Sequence, residues 1–232
     1  MSIITNHNKR DLPNAVWTIK DVLIVTFCVL IGGILSYIAG LAFLGDNKAT
    51  LRIARYVGSL LMIFFPLFWI KKKFGLKREA LGLRKGIFSL SPYILLGIGT
   101  AVIYVLIIHF TPLGDGTYFT GIKMSYSYLD LILLPLSISG FASIVLTPVG
   151  EEILVRGFMY GYFRKRLGVA IGLILQAMVF ALLHFSPSIQ SIQVFIIGVI
   201  LGLLYEQTGS IYSSIICHGA TNFIAIIFKL AA

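Results

Sequence analysis

The sequence is poor in charge: Asp, Glu, Lys and Arg make up 12% of its 232 residues, whereas 58% are hydrophobic. A soluble globular domain carries about 25% charged residues, so this composition excludes disorder, a coiled coil and an ordinary soluble enzyme. Only seven prolines and two cysteines occur, which excludes low complexity and a disulfide framework. A polytopic membrane protein remains, and the length allows roughly six to eight helices of about 20 residues each.

Acidic residues are especially scarce: there are nine, against 19 Lys and Arg, which gives a net charge of +10. The positive charge lies in short runs between apolar segments, as in the cytoplasmic loops of membrane proteins, and we expect no nucleic-acid partner. The strongest runs are 71–85 and Arg164–Arg166. Both should face the cytoplasm and anionic lipid headgroups. This predicts a plasma-membrane protein with a cytoplasmic N-terminus.

Apolar runs between polar turns predict an all-α transmembrane bundle of about seven spans. The predicted spans are 22–44, 56–70, 91–111, 128–149 (continuing as helix to about 163), 169–184, 190–205 and 210–229. A loop before the second span should face outside, and its charged residues are Asp46, Lys48, Arg52 and Arg55.

Three polar groups interrupt the later apolar segments. They are Glu151-Glu152-x-x-x-Arg156, Phe180-x-x-x-His184 and His218-x-x-x-Asn222. An ionisable group inside the bilayer costs about 2.5–3.5 kcal/mol on insertion scales, so each needs a partner or a purpose. At 1.5 Å per residue from the cytoplasmic ends, Glu152, His184 and His218 lie ~18, ~22 and ~12 Å deep. The three helices therefore bring polar side chains to about one level.

The spacing within these groups indicates a chemistry. Glu152 and Arg156 are four residues apart and face each other on a helix. Glu151 is rotated by ~100° and is predicted to face a cavity as a general base. His218 and Asn222 share a helix face, where an imidazole and an amide either bind a metal ion or donate hydrogen bonds to an oxyanion.

Each group alone has an ordinary structural explanation, such as an ion pair, an interfacial histidine or a hydrogen bond between helices. The common depth and the order of the three groups are what indicate a site. Pro148 and Gly150 stand just before the two glutamates. They predict a loosened helix that lets water or a peptide approach.

This order of motifs resembles the CPBP family, the type II CAAX prenyl protease and bacteriocin-processing intramembrane proteases, also called the Abi family. The resemblance covers about 125–230 and includes Glu151, Glu152, Arg156, Phe180, His184, His218 and Asn222. It implies an intramembrane endopeptidase with a core of four helices, acting on a membrane-associated, prenylated or leader peptide. Residues 125–232 would form this protease core, and 1–120 would hold about three further spans.

The resemblance also implies a role for each of these side chains. Glu151 would activate the water with help from His184. Glu152 would be a supporting or ligand carboxylate that Arg156 holds in place. His218 and Asn222 would stabilise the tetrahedral intermediate. Phe180 would bind the substrate.

Two alternatives stay open at this point. Zinc held by Glu151, His184 and His218 is one option; a glutamate-activated water without metal is the other, since no His-Glu-x-x-His motif is present. A different class of function is a non-catalytic bacteriocin-immunity or regulatory protein that binds a peptide or a sensor kinase. A protein that only binds need not keep the whole set of residues, which favours the enzyme.

Overall fold

The computed structural model describes residues 12–85, 90–110, 138–184 and 189–231. Within these ranges the chain is helical and contains no β-strand, which confirms the predicted all-α class. Four stretches are long and apolar enough to cross a membrane: Ile19–Leu44, Thr50–Phe74, Ala142–Leu183 and Ser191–Thr208. With the shorter apolar helices Pro92–Ile108 and Tyr212–Ile227, they are compatible with seven spans.

Helices are numbered here in chain order over the described residues. They are α1 (Ile19–Leu44), α2 (Lys48–Phe74), α3 (Leu90–Phe110), α4, α5 (Gly161–Leu183), α6 (Ile189–Thr208) and α7 (Tyr212–Ala231). Helix α4 joins four consecutive segments, Ile138–Phe141, Ala142–Leu146, Thr147–Glu151 and Glu152–Tyr160, of which the second and fourth are π-helical. The predicted start of the fourth span, at 128, lies outside the described residues.

The second span is longer than predicted. The expected range was 56–70, but α2 begins at Lys48 and includes Arg52 and Arg55, which were assigned to a loop. Both arginines are exposed. A long basic side chain can extend toward water while its backbone stays helical, so charge alone does not end a helix, and the predicted start of this span is wrong.

A reversal at Gly168 separates two antiparallel legs of the chain. Gly168 has φ 82° and ψ 174°, which interrupts the helical backbone in a conformation that favours glycine. Beyond it the chain packs back on itself, because a Cβ built at Gly172 would lie 3.0 Å from the backbone nitrogen of Arg164. The predicted break between 163 and 169 is therefore confirmed.

The N-terminal part of the chain is fastened to α4 at its C-terminal end. Trp17 stacks on Phe158 with ring centroids 4.9 Å apart and donates its indole N–H to the Phe158 carbonyl at 2.9 Å. Leu81, in the 3₁₀ turn Arg78–Leu81, is fully buried. Its carbonyl oxygen would lie 2.6 Å from a Cβ at Gly157. These contacts bring both predicted cytoplasmic runs to one end of the bundle.

Candidate active site

A buried ion pair lies on the second π-helical segment of α4. Glu152 and Arg156 have no exposed side-chain surface, and Arg156 Nη1 donates to Glu152 Oε1 at 2.9 Å. Arg156 Nη2 donates to the Gly198 carbonyl on α6 at 3.1 Å, and its guanidinium carbon lies 4.3 Å from the Phe180 ring centroid. Desolvating two charges costs several kcal/mol each, so partners on three helices are needed to hold them there.

His218, on α7, lies between the two adjacent glutamates. Its Nδ1 is 2.9 Å from Glu152 Oε1, and its Nε2 is 3.6 Å from Glu151 Oε2. A carboxylate oxygen accepts, so the first contact assigns a proton to Nδ1; the second is longer than a hydrogen bond. The glutamates also differ in exposure, at 18% for the Glu151 side chain and 0% for Glu152.

Phe180 lies at the centre of the aromatic part of the site. Its ring packs edge-on against His184 and His218, with centroid distances of 4.6 and 5.7 Å. His184 follows the last residue of α5 and donates from Nδ1 to the Phe180 carbonyl at 2.8 Å. Phe180 is 2% exposed whereas His184 is exposed. In this arrangement Phe180 supports the charged and imidazole groups and offers almost no surface to a substrate.

Asn222 reaches the first π-helical segment of α4. Its amide nitrogen donates to the Ser143 carbonyl at 2.9 Å. The two helices approach closely here, because a Cβ at Gly219 would lie 2.5 Å from the Ile144 carbonyl oxygen. A side-chain amide has a second N–H and an acceptor oxygen, so half-buried Asn222 can bind a further group.

The helix before the glutamates is not opened in the predicted way. Pro148 and Gly150 are both buried. A Cβ at Gly150 would lie 2.8 Å from the Ser59 carbonyl oxygen, and the Ser59 hydroxyl lies 2.9 Å from that of Thr147. Small residues let α2 approach this face, so the prediction of a water entrance here is wrong. The backbone irregularity lies in the flanking π-helical segments, which frequently occur at functional sites.

Gln176 is a polar side chain that the sequence reasoning missed. It is fully buried on α5, and its amide nitrogen donates to the Gly198 carbonyl at 2.8 Å and to the Leu173 carbonyl at 3.0 Å. Gly198 thus accepts from both Gln176 and Arg156. The signal was an amide four residues before Phe180 in an apolar run. A search for polar side chains three or four residues from an ionisable one passes over it, because Gln176 has no such neighbour.

The proposed metal ligands do not form a ligand set in this arrangement. Over the ranges that the structure describes, no group of three or more His, Cys, Asp or Glu side chains is placed to hold a metal ion. Glu151, His184 and His218 therefore do not fit zinc as they stand, and no step below uses a metal.

The fold and the site together define a membrane-embedded helical protein with a buried Glu-Arg-His network beside a less buried glutamate. Residues 133–224 match the family described as type II CAAX prenyl endopeptidase, Rce1-like. The matched stretch includes all seven motif residues and supports the CPBP family that they resemble, which is a family of proteases. Together with its apolar helices, this makes the chain an integral membrane protein. Comparison with curated proteins found no match, and neither did comparison with solved structures.

Proposed function

We propose that this protein is an intramembrane endopeptidase in which Glu151 activates the attacking water. One observation carries the proposal: two adjacent glutamates face one imidazole in different surroundings. Glu152 is dry and bound by Arg156, whereas Glu151 keeps 18% of its side chain exposed. Its Oε2 atom is buried and has no hydrogen-bond partner within the described part of the chain. A carboxylate that is partly exposed and stands outside the ion pair suits a general base.

The proposed reaction begins when Glu151 takes a proton from water as the water oxygen attacks the carbonyl carbon of the scissile bond. His218 Nε2, 3.6 Å from Glu151 Oε2, faces the carboxylate on which this proton arrives, while Glu152 holds the imidazole at Nδ1. The tetrahedral intermediate collapses when the C–N bond breaks, and Glu151 passes the proton to the leaving amine. General base catalysis of this kind contributes typically 10²–10⁴-fold.

The developing oxyanion needs donors on the accessible side of the site. We assign this role to Asn222, which keeps one N–H beyond its bond to Ser143, together with the imidazolium form of His218, in which Nε2 carries a proton as well as Nδ1. His184 is exposed and uses Nδ1 for the Phe180 carbonyl, so its Nε2 is the nitrogen available to the water. Preorganised donors stabilise a charge most strongly where water is excluded, as it is around Phe180.

The proposed substrate is a membrane-associated, prenylated or leader peptide that reaches the site within the bilayer. The basic runs face the cytoplasm in this proposal, with the N-terminus on the same side of the plasma membrane. The contact of Leu81 with Gly157 supports a common side for both runs, and the stacking of Trp17 on Phe158 supports the same side for the N-terminal segment. Positive loops on one side are the expected pattern for a membrane protein.

Glu151→Gln is the decisive variant. It keeps the size and hydrogen-bonding capacity of the side chain but removes the base, so peptide turnover should fall by at least about 100-fold. The melting temperature should stay close to that of the wild type, because Glu151 is not in the buried ion pair. Cleavage of a labelled peptide by purified protein in lipid nanodiscs is the measurement. Glu79→Gln, on the exposed 3₁₀ turn, is the matched control, and unchanged turnover in Glu151→Gln contradicts the proposal.

The same variant separates the enzyme from a non-catalytic immunity or regulatory protein. A protein that protects or signals only by binding a peptide or a sensor kinase should retain that effect after Glu151→Gln. An enzyme should lose the biological effect and peptide cleavage together.

Zinc dependence is tested separately, by metal analysis and chelation. A base-activated water needs no metal, so we expect turnover to survive extensive chelation and the purified protein to hold zinc well below one equivalent. Loss of activity on chelation that added zinc restores would contradict the metal-free reaction. It would also indicate that His184 moves toward Glu151 and His218.

A further inference from the structure

The Gly198 carbonyl on α6 is shared by two side chains from different helices. It accepts from Arg156 Nη2 on α4 at 3.1 Å and from Gln176 Nε2 on α5 at 2.8 Å. Both donors are fully buried. One oxygen with two lone pairs can accept both bonds. The junction therefore ties three helices together next to the ion pair.

Two glycines on α6 make this junction sterically accessible. A Cβ at Gly198 would lie 3.1 Å from the Cα atom of Ala177, and a Cβ at Gly202 would lie 2.7 Å from Gln176 Nε2. Any larger residue at 202 would occupy the position of the amide. Close helix approach through small residues is typical of membrane bundles, and here it brings a backbone carbonyl within reach of Gln176.

Hydrogen bonds lead from this junction to the reacting groups. Gly198 holds Arg156, Arg156 holds Glu152, and Glu152 holds His218 through Nδ1. His218 Nε2 then faces Glu151 Oε2. Gln176 thus acts on the site without touching the space beside Glu151.

We infer that Gln176 is a positioning residue, which fixes the Gly198 carbonyl so that Arg156 holds Glu152 and His218 in register with Glu151. This inference rests on the proposed function. A second geometric observation favours a positioning role for Gln176 over a role in helix packing alone. The amide nitrogen bonds at the one carbonyl that Arg156 also uses, and its other bond is local, to the Leu173 carbonyl.

Gln176→Met tests the inference, because methionine has a similar length and no amide. We expect kcat to fall by about 10- to 100-fold, the range that misplacement of about 1 Å can cause. KM should change by less than about twofold, since Gln176 does not contact the substrate space. The measurement is peptide cleavage in nanodiscs over a range of substrate concentrations, with the melting temperature recorded for each variant.

Tyr104→Phe is the matched control, because the Tyr104 hydroxyl donates to another α6 carbonyl, that of Gln193, at 2.8 Å. It also removes a buried bond between helices, but one that does not reach the ion pair. We expect its kcat to stay within about twofold of the wild type. Equal losses of kcat in the two variants would mean that the Gln176 bond only joins helices, and would overturn the inference.

Gln176→Leu is a second variant without the amide, in case Gln176→Met does not fold. It also removes the donor to the Gly198 carbonyl, so kcat should fall by about as much as in Gln176→Met. Wild-type kcat in this variant would also overturn the inference. If Glu151→Gln is inactive while Gln176→Met is fully active, only the positioning role fails. If Glu151→Gln is fully active, the proposed function itself fails.

Discussion

The site has two halves that differ in their access to solvent and in their bonding. Glu152 and Arg156 are dry, and besides their mutual bond they reach the Gly198 carbonyl on α6 and the His218 imidazole on α7. Around Glu151, His184 and Asn222 the side chains are partly exposed, and Glu151 Oε2 lacks a hydrogen bond within the described chain. Unpaired polar atoms occur in both halves, since Glu152 Oε2 and Arg156 Nε also lack a hydrogen bond within the described chain, so the two halves differ in exposure. The dry half supplies geometry, and the accessible half leaves room for the reacting groups.

This contrast explains how two adjacent glutamates can serve different purposes. Successive residues on a helix point about 100° apart, so Glu152 faces the interior between α5, α6 and α7 while Glu151 faces partly exposed space. His218 contacts both. The imidazole is therefore the physical link through which the dry half can orient the accessible half.

The largest expected effect comes from breaking the dry half at Arg156. Arg156→Met keeps most of the side-chain volume but leaves the Glu152 carboxylate buried without its cation. Removing one partner of a buried pair costs about 3–5 kcal/mol, so both the melting temperature and peptide turnover should fall sharply. Thermal unfolding in nanodiscs and the cleavage assay measure the two effects.

The double variant Glu152→Gln/Arg156→Met is the control for that prediction. Replacing both charges removes the uncompensated one, and such replacements are often neutral in stability. We expect much of the lost thermal stability to return while turnover stays low, because His218 loses its carboxylate partner. A single variant as stable as the wild type would mean that the pair is not buried in the folded protein.

Composition and apolar runs predicted the helices correctly wherever a charged run or a glycine marks the end of a helix. The break near 163–169 was predictable because a charged run precedes a glycine that takes positive φ. The start of α2 was not predictable in this way, because Arg52 and Arg55 suggested a loop. Both lie in the helix with exposed side chains, since a long basic side chain can reach water from a helical backbone. The π-helical segments also leave no signature in apolar spacing.

The candidate site was predictable where side chains share a helix face. The Glu152–Arg156 contact follows directly from a spacing of four residues. Which imidazole lies against which glutamate depends on packing between helices, so helix spacing alone did not give the approach of His218 Nε2 to Glu151 Oε2 at 3.6 Å. Gln176 was missed because no ionisable residue stands three or four positions from it, and the Gly198 carbonyl was missed because it belongs to the backbone.

Asn222→Ala sharpens the comparison from the accessible half. It removes a proposed oxyanion donor, and loss of one such donor costs about 10²–10³ in kcat. The effect on stability should be small, about 0.5–1.5 kcal/mol for the bond to the Ser143 carbonyl. The expected pattern thus differs from that of Arg156→Met in the dry half, because melting stays nearly normal while the kinetic defect is large.

Thr221→Ala is the matched control on the same helix. Its hydroxyl donates to the Cys217 carbonyl within α7, so its removal should leave kcat within about twofold of the wild type. If Asn222→Ala lowers the melting temperature and leaves turnover normal, Asn222 has a structural role and is not an oxyanion donor. In that case the Asn222–Ser143 bond serves only to join α7 to α4, and His218 would have to stabilise the oxyanion alone.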